Sequence, residues 1–80
     1  MKLPRDLSGI NLARALSRFG YTVTRQKGSH MRLTTFVPSE HHITIPNHDP
    51  LRIGTLAAIL DTVANHLGIS RADLISAIQS

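Results

Sequence analysis

Lys27-Gly28-Ser29-His30 is the stretch of this chain whose residue types and order carry chemistry. An imidazole exchanges protons near neutrality, its unperturbed pKa lying at about 6.5. A glycine turn lets a phosphate backbone come close, and main-chain amides there can cradle an oxygen. RNA brings its own nucleophile, the 2′-hydroxyl. A protein that cuts it needs only to remove that proton, stabilise the phosphorane-like transition state and protonate the leaving 5′-oxygen. None of these steps demands a metal. On this reading His30 transfers the proton, Lys27, Arg25 and Arg32 offset phosphate charge, and the Gly28 and Ser29 amides meet a phosphate oxygen. The residues leave the group that complements His30 open between His48, the first candidate, and Lys27, the second.

The charge balance points to the same class of ligand. The chain has 80 residues, nine Lys and Arg against five acids, a formal charge of +4 and no cysteine. Seven of the nine basic residues fall at or before Arg32, where Asp6 is the only acid. Positive potential gathered in this way attracts polyanions, and its contribution falls with salt. Without cysteine there is neither a disulfide framework nor a thiolate metal site, which fits a reducing cytosol. Met1-Lys2-Leu3-Pro4-Arg5-Asp6 has no apolar run of the kind a secretory signal carries, so a cytoplasmic location is expected. The hydrophobic fraction of 41% with 18% charged residues belongs to a folding domain, and residues 1–80 are expected to form one.

Apolar spacing shows which elements must position these side chains. Ser8 is a natural N-cap; Leu12, Leu16 and Phe19 recur at helical intervals before Gly20, predicting a helix from Gly9 to Phe19. From Tyr21 the period changes to two. Tyr21 and Val23 are expected on the apolar side of a first strand, with Thr22, Thr24 and Gln26 opposite. After the Gly28 turn, Met31 and Leu33 take the apolar side and His30, Arg32 and Thr34 the polar one. A third strand sets Ile43 and Ile45 against His42 and Thr44, reached through Val37-Pro38-Ser39-Glu40. If all three apolar faces pack under helices, His30, Arg32, the threonines and His42 share an open, accessible face.

Pro46-Asn47-His48-Asp49-Pro50 reads as a loop. Leu56, Ile59, Leu60, Val63 and Leu67 then mark an amphipathic helix with Thr55 as expected cap, and Ser70-Arg71-Ala72-Asp73 opens a short last helix carrying Leu74, Ile75 and Ile78. The predicted class is α+β, helix-strand-strand-strand-helix around a three-stranded antiparallel sheet, with a short additional C-terminal helix. His41, His42 and His48 do not suggest a metal site, because adjacent histidines on a strand point to opposite faces and no carboxylate completes a recognised spacing. Arg14 and Arg18, four apart on the first helix, either straddle a phosphate backbone or form a solvated face.

Leu7-Ser8-Gly9, Gly20-Tyr21, Arg25-Gln26-Lys27-Gly28-Ser29-His30, Ile45-Pro46-Asn47-His48, Gly54-Thr55-Leu56 with Ile59-Leu60, and Gly68-Ile69-Ser70 occur in an order that resembles the HicA-type mRNA interferases, the toxins of HicAB toxin-antitoxin systems. Each fragment is short; six in register over nearly the whole chain are specific. The resemblance implies a double-stranded-RNA-binding-domain-like fold, RNA cleavage without a cofactor, the histidine of the Gly-Ser-His motif, here His30, as the essential residue, and a HicB-type antitoxin as protein partner. The chain departs from the family pattern by about one extra helical turn over residues 61–67, which bears on antitoxin docking or self-association rather than on the active face. Two other readings stand beside it: a noncatalytic RNA-binding module that uses the basic hairpin alone, and a protein-interaction domain that uses the open sheet or the C-terminal helices.

Overall fold

A computed structural model describes residues 3–79; Met1 and Lys2, which open the segment read for a targeting signal, lie outside them, as does Ser80. The elements are α1 (Gly9–Ser17), β1 (Thr22–Lys27), β2 (His30–Thr35), β3 (His41–Pro46), α2 (Ile53–Leu67) and α3 (Arg71–Gln79). The strands form an open antiparallel sheet in the order β1-β2-β3. Its inner face, with Met31, Leu33, Ile43 and Ile45, packs on Leu12 and Leu16 of α1, Leu56, Leu60 and Val63 of α2, and Leu74 and Ile75 of α3. This is the expected α+β arrangement, of the double-stranded-RNA-binding-domain type, with the outer face of the sheet uncovered.

Two helix starts follow from local chemistry. The Ser8 hydroxyl accepts from the Asn11 N–H at 3.1 Å, and the Ser70 hydroxyl from the Asp73 N–H at 3.0 Å, each satisfying an otherwise orphaned donor. The start of α2 differs from the expected Thr55 cap. Its N-cap is Arg52, which makes no side-chain capping bond. The cause is tertiary: Leu51 is buried and its N–H donates to the Leu7 carbonyl, so the chain is pinned there and turns into the helix at once. The first helix closes at Ser17, short of Phe19, and residues 18–20 form a turn.

The strand β1 departs most from simple alternation. Val23 pairs with Leu33 and Arg25 with Arg32, so Thr24 is an extra residue in β1, a β-bulge. Residues directly opposite share a face, so the bulge reverses the parity of everything after it. Arg25 and Lys27 move to the open face with Arg32 and His30, while Gln26 moves to the side of Met31, away from Thr22 and Thr24. Val23 keeps the inner side by register but is 49% exposed, because it lies on an edge strand and borders an open groove between β1 and α1.

Residues 61–67 of α2 turn Val63 and Ala64 inward and leave Asp61, Thr62 and Asn65 exposed. The His66 ring stacks on His41 of β3 at 4.2 Å between centroids and 10° between planes. The Tyr21 hydroxyl lies 2.7 Å from His41 Nδ1. Burial holds the tyrosine above its ordinary range, so the phenol keeps its proton. Burial, then His66, then His42 push the His41 pKa below its ordinary 6.5. The folded protein therefore takes up this proton at lower pH than the unfolded chain. The stabilisation is present above the unfolded value and lost as pH falls through the folded one. Thermal denaturation followed from pH 7 down to pH 5 is expected to show a falling Tm, with a shallower fall in His66→Leu; a parent Tm flat across that range would contradict the assignment.

Candidate nucleic-acid interface

The hairpin loop of Gly28 and Ser29 joins β1 to β2, with Lys27 directly opposite His30. Gly28 sits at φ 57°, in the left-handed region that favours glycine at the first position of a two-residue loop. An added Cβ there would meet no atom within 4 Å, so conformation and not crowding demands the glycine, and the outer side of the turn is open to a ligand. The third strand closes the other flank. His30 pairs with Pro46, and the Asn47 N–H donates to the Ser29 carbonyl, which draws the segment leading to His48 alongside the turn. The His48 carbonyl in turn accepts the Gly9 N–H at 2.9 Å, tying this segment to the start of α1.

Lys27, Gly28, Ser29, His30, Arg25, Arg32 and His48 are all exposed. The register sets Arg25, Lys27, His30 and Arg32 on the outer face of two adjacent strands. The ion pairs His42–Glu40 and Arg71–Asp61 take up carboxylates elsewhere and involve none of Arg25, Lys27 and Arg32. An exposed surface with three cations and an imidazole is suited to a polyanion. Arg14 does not join it; this residue lines a groove between α1 and β1.

Farther along the same face lies a network that alternation alone could not reveal. Glu40 Oε2 is 2.7 Å from His42 Nε2, His42 Nδ1 is 2.7 Å from Thr34 Oγ1, and Thr34 Oγ1 is 2.9 Å from Thr24 Oγ1. Thr24 also donates to the Arg32 carbonyl at 3.3 Å, satisfying a group that the bulge disturbs. The network closes over Thr34, which is 4% exposed although it belongs to the outer face by register. Thr34 stands four residues from His30 on β2, about 13 Å along an extended strand. His42, opposite Thr34, is thus out of reach of a phosphate held at His30. His41 and His42 point to opposite faces, one into the Tyr21 and His66 contact and the other to Glu40.

Comparison with curated proteins and with solved structures found no match. Comparison with protein families matches residues 11–68 to the HicA toxin of bacterial toxin-antitoxin systems. That span contains the whole hairpin, the Pro46–His48 segment and all of α2; α3 follows it. With a basic open sheet face behind a Gly-Ser-His turn and a family match over most of its length, the chain belongs to the HicA toxins of bacterial toxin-antitoxin systems.

Proposed function

We propose that this toxin is a metal-independent endoribonuclease, that residues 1–80 form one HicA-like domain, and that His30 is its proton-transfer residue. The observation that carries the reading is the bulge at Thr24, which sets Arg25 and Lys27 beside Arg32 around the exposed imidazole of His30. The 2′-oxygen attacks phosphorus as His30 accepts its proton, the bond from phosphorus to the 5′-oxygen breaks, and the leaving oxygen takes a proton from a second group. Products are a 2′,3′-cyclic phosphate and a 5′-hydroxyl. Lys27 and His48 flank His30 and are the two candidates for that second group. Arg25, Arg32 and the Gly28 and Ser29 amides hold the phosphate oxygens as charge builds. A HicB-type antitoxin restrains the activity in the cytoplasm.

The deciding experiment incubates the purified protein with end-labelled RNA in a chelator. Shortening by the parent supports the reading; RNA retained at full length by a folded protein would make this a binding module instead. Binding itself carries a second expectation. With three cations on single-stranded RNA, log K should fall with log salt at a slope of about −2, or roughly 20-fold weaker between 50 and 200 mM. Arg25→Ala should reduce that slope by about 0.7, read by fluorescence anisotropy with a 2′-deoxy-blocked oligonucleotide. An unchanged slope would remove Arg25 from the interface.

A further inference from the structure

The groove between α1 and β1 lies outside the basic face and is built differently. It has a volume of about 410 Å³ and is walled by Ile10, Ala13, Val23 and Met31, with Arg14 on its lining. Ile10 is 42% and Val23 49% exposed, two large aliphatic side chains left in water on facing elements. A stacked base would need an exposed aromatic ring, and the one ring in this lining, Tyr21, is fully buried. Nucleic acid therefore does not suit this surface, whereas a protein segment with aliphatic anchors does.

We infer that this groove is where the antitoxin grips the toxin, through an amphipathic segment that seats aliphatic side chains between Ile10 and Val23 and sets a carboxylate against Arg14. Charge chooses the occupant. A second copy of this chain, with its net charge of +4, would bring like charge toward Arg14; an acidic partner would not. The bulge at Thr24 interrupts the free edge of β1 and disfavours simple strand addition, so side-chain insertion is the main mode. Continuity supplies the restraint. Val23 lies on the inner side of the edge strand β1 and Arg25, two residues on, lies on its outer side, so a segment anchored at Val23 restrains cleavage by passing around that edge onto the RNA face. This last step rests on the proposed RNA-binding role of that face; the grip itself does not.

The test uses the full chain and its proposed HicB-type antitoxin. Ile10→Asp, Val23→Asp and the milder Ile10→Thr with Val23→Thr are compared with the parent by calorimetric titration and by neutralisation of RNA cleavage. The aspartate variants should bind antitoxin at least about 30-fold more weakly, as loss of a central anchor does. The threonine pair, at half-exposed positions, should keep the parent's Tm and show a smaller loss. Each variant should cleave RNA as the parent does when antitoxin is absent, and resist neutralisation when it is present. Parent-like antitoxin affinity in the aspartate variants would overturn the inference. So would a change from dimer to monomer with antitoxin affinity intact, which would assign the groove to a second copy. If the parent fails to cleave RNA, the proposed activity falls, while the titration still decides the groove.

Discussion

His30→Ala is expected to lower RNA cleavage by about 10²- to 10⁴-fold, the usual contribution of a positioned acid or base, with Tm unchanged. The side chain is exposed and contributes no core contact, so its removal should leave the fold intact. A 2′-deoxy substitution at the scissile nucleotide should stop cleavage by the parent, since the attacking oxygen is then missing. Substitution separates the two candidates for the second group. Whichever of His48→Gln and Lys27→Met removes the proton donor should slow cleavage by about 10²- to 10⁴-fold, and the other far less. Full cleavage by His30→Ala would remove His30 from the chemistry.

Gly9→Ala is the second large effect, and it acts from outside the interface. A Cβ on Gly9 would run into the Pro46 carbonyl oxygen, with the Asn47 Cα also close. Those atoms are backbone and cannot swing aside as a flexible side chain would. Alanine would gain up to about 1 kcal/mol in helix propensity over glycine, but overpacking against a fixed chain costs about 1–3 kcal/mol or more. For a domain of this size a net loss of about 2 kcal/mol lowers Tm by roughly 8–16 °C. Pro46 is the cross-strand partner of His30, and Asn47 holds the Ser29 carbonyl, so the displacement passes straight to the proposed catalytic turn. Cleavage should fall at temperatures where the variant is still folded, because a misplacement of about 1 Å can cost 10²-fold. A variant with parent-like Tm and activity would show that α1 and β3 have room to part.

The helices, the three strands and the side of the sheet on which His30 and Arg32 lie were legible in the chain because they follow from local period and local capping. Met31, Leu33, Ile43 and Ile45 alternate without interruption, and Ser8 and Ser70 cap their helices through atoms three residues away. Arg25 and Lys27 were legible as charge but not as neighbours of His30 on one face. Strict alternation of β1 from Tyr21 puts them on the opposite side, and nothing local to Thr24 announces an unpaired residue. Val23 lies on the expected side yet stays half-exposed: an aliphatic side chain reads as core whether or not the fold closes over it.

By itself the sequence determined the chemistry available to this protein: an imidazole after a glycine turn, cations concentrated in the first 32 residues, and an aliphatic stripe able to fold α2 onto a sheet. Tertiary structure alone decided how those groups meet. The bulge is a property of β1 and β2 together, since it exists only where two residues face one. The chain from Glu40 through His42 and Thr34 to Thr24 spans all three strands, and the stack of His41 on His66 joins residues 25 positions apart. Cross-strand register and helix-to-sheet packing depend on partners distant in sequence, and local periodicity carries no information about them.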